Sequence, residues 1–297
     1  RYRSYKYGMV TGLIVNLGEI GLLFAVSLYL QGTRGLSAFE TGLALLPLAF
    51  MAFIGAPVAG AFSARSGPKW IVTTGMTLEV IALLILFAVI DPAISTTTIA
   101  LILGLYGLGL GLAIAQLTSL VLYDIPSPKA GIASGGNSTI RQVGAALGIA
   151  IIGTALTTTT ESRLTDSFTS SATLAPPVLA MEDAFIEMAK QPVNFDFAEM
   201  LIAGPPPGMA GMSEAGGPPP GMAEGSDTGA DASGLDLRAQ GAEVGRLVLD
   251  ARTEAMSYAA LVAAIFVGVG ALSSLMLPNP RESAPSPARA QSPAAAD

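Results

Sequence analysis

Two ionisable side chains lie inside apolar stretches of the sequence. Arg141 stands near the middle of the run Gly131–Leu156, and Glu19 lies at mid-length in the run Gly8–Leu30. Each run is long enough to cross a bilayer as a helix, which takes about 20 residues. A charge at the bilayer centre costs at least about 2.5–3.5 kcal/mol, so it persists where it faces a protein interior or a watery cavity and has a partner. The pattern indicates a multi-pass membrane protein with a polar interior.

The two charges reach similar depth when they are counted from the start of their runs at about 1.5 Å per helical residue. We therefore expect that Glu19 and Arg141 can pair across a helix interface. A buried carboxylate beside a cation can take up and release a proton, which makes Glu19 the candidate for proton coupling. A structural ion pair is the alternative for both residues.

Other polar residues also lie within apolar runs. Asn16 shares a helix face with Glu19 at spacing i, i+3, while Glu79 lies in a run with few other polar groups, where we expect a structural role or a position at the lipid edge. The candidates for a polar cavity or a helix interface, besides Arg141, are Asn16, Gln116, Asn137 and Gln142.

Composition excludes several classes of protein. Hydrophobic residues make up 51% of the chain and charged residues 12%, against roughly 25% charged residues in soluble domains. The chain has no cysteine and no histidine, which excludes disulfides, thiol nucleophiles, Cys/His zinc sites and histidine-based triads. We expect no enzyme activity, no cofactor and no bound metal. A nucleic-acid partner would need a basic face, which the sequence does not provide.

Six apolar runs can each span a bilayer, whose hydrocarbon core is about 30 Å thick. The predicted fold is therefore an all-α integral membrane bundle of six helices, with a long loop before the last one. Small residues recur in these runs at a spacing that lets helix backbones approach closely, at Gly8/Gly12, Gly107/Gly111, Gly131/Gly135 and Gly144/Gly148. The predicted spans are Gly8–Leu30, Thr41–Phe62, Ile71–Ile90, Ile99–Leu122, Gly131–Leu156 and Ala255–Leu277.

Basic residues in the short loops predict the orientation, because lysine and arginine collect on the cytoplasmic side. The opposite side has only Arg34 in its first loop and no basic residue between Asp91 and Thr98. We expect a multi-pass protein of the cell membrane. Both termini of this segment are expected in the cytoplasm, and residues 157–254 are expected on the other side of the membrane. The residues on the cytoplasmic side are Arg1, Arg3, Lys6, Arg65, Lys69, Lys129, Arg281 and Arg289.

The long acidic loop Thr157–Glu254 divides into parts. The pattern at Met181–Met188 predicts helical turns, and Asp236–Glu254 is helix-like and can lead into the sixth span. The stretch Gly204–Gly234 is rich in Pro and Gly and is predicted to be disordered, as is the cytoplasmic tail 278–297. Three methionines in that stretch are interpreted as incidental to a spacer rather than as copper(I) ligands.

The loop between the second and third spans resembles a family signature. Its residues Gly60, Arg65, Gly67 and Lys69 follow the Gly-x-x-x-Asp-Arg-x-Gly-x-Arg pattern of major facilitator superfamily transporters, with Ala64 in place of the signature's Asp. The order of several further motifs resembles the fourteen-helix drug:proton antiporters of that superfamily. These motifs are Leu28-Tyr-Leu-Gln31, Leu36-Ser-x-x-x-Thr-Gly-Leu-Ala-Leu-Leu-Pro-Leu48, Gly55-Ala-Pro-x-x-Gly60 and Arg141-Gln-x-Gly-x-x-Leu-Gly148.

This resemblance implies the C-terminal six-helix half of an efflux transporter that exchanges protons for hydrophobic or cationic drugs, with the N-terminal half missing from the chain. It implies that the first and fourth spans line the cavity, that the second and fifth form the interface between halves, and that the third and sixth lie outside. Two alternatives stay open. One is an exporter of a specific metabolite, lipid precursor or antibiotic, and the other is a non-transporting membrane scaffold that presents the long loop.

Overall fold

The chain is seen in a computed structural model that describes residues 2–191, Phe197, Leu201 and residues 236–277. A π-helical turn, Tyr29–Thr33, continues the first helix, and a 3₁₀ turn, Ser127–Lys129, precedes the fifth. The predicted all-α architecture is confirmed. The helices are α1 (Arg3–Leu28), α2 (Ala38–Ser66), α3 (Pro68–Val89), α4 (Thr96–Leu122), α5 (Ala130–Ser170), α6 (Pro176–Leu179), α7 (Glu182–Ala189) and α8 (Leu237–Ser274).

Six of these helices, α1 to α5 and α8, are long and apolar enough to cross a membrane. They pack as one bundle in which α1 lies on α5, α2 on α4, and α3 on both α4 and α8, while α8 also contacts α1 and α5. Burial of apolar side chains between them forms the main core. Its fully buried members include Leu22, Met76, Leu103, Tyr106, Ile152 and Val267.

Glycines bring several pairs of neighbouring helices into backbone contact. A Cβ atom added at Gly148 of α5 would lie 2.1 Å from the carbonyl oxygen of Leu17 in α1, and one added at Gly107 of α4 would lie 2.1 Å from that of Leu48 in α2. Only glycine permits such an approach, as the small-residue spacing predicts. At Gly131 and Gly135 an added Cβ would meet no atom of the described residues within 4 Å, so no described helix packs closely on that face of α5.

The structure extends α5 and α8 beyond the predicted spans. Helix α5 continues past Leu156 to Ser170, and α8 begins at Leu237, well before Ala255. Together with α6 and α7 these extensions enclose a second apolar core, which we call the cap. Much of the predicted loop is therefore folded, whereas residues 204–234 and 278–297, predicted to be disordered, lie outside the described residues. The buried residues of the cap include Leu164, Phe168, Val178, Phe185, Val244 and Val248.

One arginine fastens the cap to the bundle. Arg252 of α8 is 8% exposed, and its Nε donates to the carbonyl oxygen of Ala189 at 3.0 Å. Its Nη2 donates to Gln191 at 2.7 Å, and its Nη1 donates to the carbonyl oxygen of Gly32 in the π-helical turn. A planar guanidinium can satisfy several acceptors in fixed directions. Arg252 therefore ties the end of α7 to the end of α1.

We expect Arg252→Met to loosen the cap without unfolding the bundle. Each hydrogen bond from a charged group contributes about 1.5–3 kcal/mol, so losing even one corresponds to roughly 10–100-fold faster local opening. Hydrogen exchange of the amides of Glu182–Ala189 measures this opening. Arg246→Met is the matched control, since Arg246 lies on the same helix but pairs at the surface with Glu243. Unchanged exchange in α7 of Arg252→Met would contradict the fastening role.

Candidate functional site

Glu19 lies inside the bundle, on α1 where this helix packs against α5 and α4. Its side chain is 6% exposed, and Oε2 has no hydrogen-bond partner among the described residues. Asn16, one turn earlier, is buried and donates from Nδ2 to the carbonyl oxygen of Gly12 at 2.9 Å. The amide of Asn16 is therefore hydrogen-bonded within its own helix. The Oε2 atom of Glu19 has no such bond among the described residues and lies in an apolar setting.

Arg141 of α5 lies across the same helix interface and is partly buried. A Cβ atom added at Gly12 would stand 3.8 Å from Cγ of Arg141, so the arginine stem crosses α1 at this glycine. The guanidinium interacts electrostatically with Glu19. No direct ion pair between them occurs in the described part of the chain. The two groups therefore lie near each other across the interface and interact through space rather than as a hydrogen-bonded pair.

The remaining polar candidates fall on different surfaces. Asn137 is 7% exposed and joins Arg141 at α1, where its Oδ1 would lie 3.9 Å from a Cβ added at Gly12. Gln116 of α4 is half-buried, and Gln142 of α5 is exposed. The α1–α5 interface thus brings together Asn137 and Arg141, while Gln142 points away from it.

Glu79 corrects an expectation. A position at the lipid edge is wrong, because the side chain is fully buried where α3 meets α4. Gly75 and Gly109 create the close approach, since a Cβ added at Gly109 would stand 2.6 Å from the carbonyl oxygen of Gly75 and 2.9 Å from Cγ of Glu79. The signal in the sequence is the i, i+4 spacing of Gly75 and Glu79, which puts the carboxyl on the face that the small residue opens.

Sequence reasoning also missed Tyr106, a tyrosine in the apolar run of α4. It is 1% exposed, and its hydroxyl has no hydrogen-bond partner in the described ranges. Glu79 interacts electrostatically with Glu19, and Tyr106 interacts with both carboxyls. We call Glu19, Glu79 and Tyr106 the acid cluster. It joins α1, α3 and α4 in the core of the bundle.

The signature residues lie at the end of α2 and the start of α3, and the two helices meet in a tight turn at Gly67. Gly67 has φ 85°, a conformation that favours glycine, and it ends α2 and precedes Pro68 at the start of α3. Lys69 lies over the ring of Trp70 at 5.8 Å. Gly60 and Arg65 are exposed. The glycine thus has a clear local role in the turn.

No group of three potential metal-ligating side chains occurs in the residues that the structure describes. The polar groups of the bundle interior can exchange protons and bind polar parts of a ligand. They belong to helices that are apolar on their other faces, as in a membrane protein with an internal polar path.

Comparison with known proteins agrees with this architecture. Residues 2–149 match the family model of the Major Facilitator Superfamily. The tetracenomycin C resistance and export protein of Streptomyces glaucescens is 34% identical over 187 residues, which cover 62% of this chain and 34% of that protein. The multidrug resistance protein Stp of Mycobacterium tuberculosis is 30% identical over 156 residues, or 52% of this chain and 29% of that protein.

A third relative is the probable actinorhodin transporter of Streptomyces coelicolor, which is 29% identical over 187 residues, or 62% of this chain and 32% of that protein. The matched segments span about a third of the length of these relatives. The six apolar helices and their packing identify this chain as a multi-pass membrane protein, and residues 2–149 of it match the Major Facilitator Superfamily.

Proposed function

We propose that this chain is the C-terminal six-helix half of a secondary transporter that exports hydrophobic or cationic compounds in exchange for protons, and that it is not an enzyme. The observation that carries the proposal is the buried carboxyl of Glu19 beside Arg141 at the α1–α5 interface. The names of the relatives, which refer to export and multidrug resistance, support the direction and the substrate class.

The geometry suits reversible protonation. A carboxylate locked in a short ion pair would have to break that pair before it accepted a proton. Glu19 is instead near enough to Arg141 for electrostatic stabilisation, without a direct ion pair in the described part of the chain. An inward-moving proton would neutralise Glu19 and weaken its attraction for a cationic substrate. Rocking of the two halves about a site near the midplane would then release the substrate outward.

The proposed partner is the N-terminal half of the transporter. In the most apolar stretch of each helix, only 22% is buried in α2 and in α5, against 61% in α1 and 56% in α4. This agrees with the family pattern in which the second and fifth helices meet the other half. The exposed position of Gln142 on α5 also fits that interface. Large exposed apolar residues on α2 include Phe39, Leu43, Leu46, Phe50 and Phe53.

Transport is tested in everted membrane vesicles that contain the full-length protein. A respiration-driven proton gradient should drive uptake of a cationic dye, and a protonophore should abolish that uptake. Vesicles without the protein are the control. Gradient-independent uptake would contradict proton coupling, and no uptake of any compound tested would favour the non-transporting scaffold.

A narrower substrate range is the second candidate, because two relatives are each named for export or transport of a single compound, tetracenomycin C or actinorhodin. Competition in the same vesicles separates the two. A multidrug transporter should be inhibited by several unrelated cations, whereas a dedicated exporter should be inhibited by close analogues of one compound only.

We propose further that the cap lies outside the cytoplasm and that both termini of this segment lie inside, as the basic residues suggest. The absence of cysteine from this segment keeps it silent in thiol labelling. In a cysteine-free full-length background, an impermeant thiol reagent should label Ser170→Cys in intact cells. Ser66→Cys should be labelled only after the cells are opened. The reverse pattern would overturn the orientation.

A further inference from the structure

The acid cluster brings together four buried polar atoms that have no hydrogen-bond partner among the described residues. Oε2 of Glu19, both carboxyl oxygens of Glu79 and the hydroxyl of Tyr106 all lack hydrogen-bond partners in the described part of the chain. Buried polar groups are ordinarily hydrogen-bonded, so an orphaned group calls for an unseen proton, ion or water. Here three helices each direct one such group into the same region, which a purely structural contact does not require.

The charges around the acid cluster indicate what its unpartnered atoms bind. Arg141 interacts with Glu19, but among the described residues no cation faces Glu79. An unpaired carboxylate in an apolar interior is strongly disfavoured, and two neighbouring carboxylates disfavour each other's ionisation. The two acids with one arginine therefore need one further positive charge. A proton on one of the two carboxyls is the smallest addition that supplies this charge.

The helices packed around α3 offer no other source of that charge. Glu19 faces Glu79 from α1, and Tyr106 faces it from α4. The ionisable residues of α2 are Glu40 and Arg65, which lie near its two ends. In the apolar part of α8 the ionisable residue is Tyr258, which hydrogen-bonds to Arg163 at the cap.

We propose that Glu79 is a second proton-binding residue, which holds one proton within the acid cluster and exchanges it by way of Glu19. We infer the path of the proton from solvent exposure. Glu19 is 6% exposed, whereas Glu79 is 0% and Tyr106 1% exposed. Tyr106 is a positioning residue, because its buried hydroxyl lies near both carboxyls and interacts with them electrostatically. When the proton moves from Glu79 to Glu19, the O–H bond on one carboxyl breaks as an O–H bond forms on the other, so the cluster keeps the same total charge.

This inference deepens the proposed function, and its test does not depend on transport. The full-length protein, purified in detergent, is studied by infrared spectroscopy at neutral pH. A protonated carboxyl has a C=O stretching band that shifts in D₂O. The spectrum of wild type minus that of Glu79→Gln should contain this band. Glu182→Gln, which changes a glutamate of α7 in the cap, is the matched control. Its own spectrum should still contain the band, so the spectrum of wild type minus that of Glu182→Gln should not show it.

Further variants distinguish the outcomes. Tyr106→Phe should move the band, since it removes the hydroxyl beside the acid, and Glu79→Asp should retain a band if Glu79→Gln fails to fold. A difference spectrum without the band would mean that Glu79 is ionised and would overturn the proposal. Loss of the wild-type band when sodium replaces choline would overturn it too, by identifying sodium as the bound cation. Loss of proton-driven transport with the band intact would count against the transport proposal alone.

Discussion

Glu19→Gln in the full-length transporter is expected to abolish proton-driven efflux while substrate binding survives. The neutral amide resembles a protonated carboxyl in shape and charge but cannot release a proton, so the exchange cycle stops at the protonated stage. Glu19 is buried at the α1–α5 interface with an unused carboxyl oxygen, and the amide adds no buried charge. Uptake in everted vesicles measures transport, and equilibrium binding of a fluorescent cation measures affinity.

Arg141 should behave differently. Arg141→Ala removes the cation that interacts with Glu19, so we expect the pH optimum of transport to move upward rather than activity to vanish. Arg141→Lys keeps the positive charge but not the planar guanidinium, so its pH optimum should lie between those of wild type and Arg141→Ala. Thr165→Ala is the control on the same helix, because Thr165 is exposed in the part of α5 that extends into the cap. Wild-type transport with wild-type pH dependence in Glu19→Gln would move the coupling group to the other half of the protein.

Gly148→Ala should destabilise the bundle strongly. The added Cβ would lie 2.1 Å from the carbonyl oxygen of Leu17, and that atom is backbone, so the two helices must separate. Overpacking of a dense core costs about 1–3 kcal/mol, which outweighs the roughly 0.5–1 kcal/mol that alanine gains over glycine within a helix. We expect a lower midpoint of thermal unfolding for the purified full-length protein. Because Glu19 and Arg141 face each other across this interface, coupling should weaken as well.

Gly268→Ala is the control for this experiment. Gly268 lies on α8, where an added Cβ would stand 3.8 Å from Cγ2 of Val80, an ordinary contact distance. The same substitution should leave the unfolding midpoint equal to that of wild type or slightly raise it. Equal midpoints for Gly148→Ala and Gly268→Ala would show that α1 and α5 do not depend on backbone contact.

Hydropathy and charge placement predict much of this molecule. The six spans follow from apolar length, and the proximity of Glu19 to Arg141 follows from their similar depth in two helices. The capping box of α2, in which Ser37 and Glu40 satisfy each other's backbone amides, is likewise encoded by a local Ser-x-x-Glu spacing. These features depend on local sequence or on depth alone.

Other features depend on rotation and packing, which depth does not define. The buried position of Glu79 results from the backbone approach at Gly75 and Gly109, and neither helix specifies that contact by itself. The extension of α5 to Ser170 was missed because hydropathy marks the part of a helix in the bilayer, not its end. Likewise, Arg252 contacts carbonyl groups that are distant in sequence, so no local sequence pattern predicts its role in fastening the cap.

The central claim is that this membrane bundle exchanges protons for substrate through Glu19, and proton movement in proteoliposomes tests it most directly. The full-length protein is reconstituted with a pH-sensitive dye in the lumen, and a transported cation is added outside without an imposed gradient. The account predicts that entry of the cation drives protons out of the lumen, so lumenal pH rises with wild type and stays constant with Glu19→Gln. Cation entry with no change in lumenal pH, or an equal change in both proteins, would contradict it.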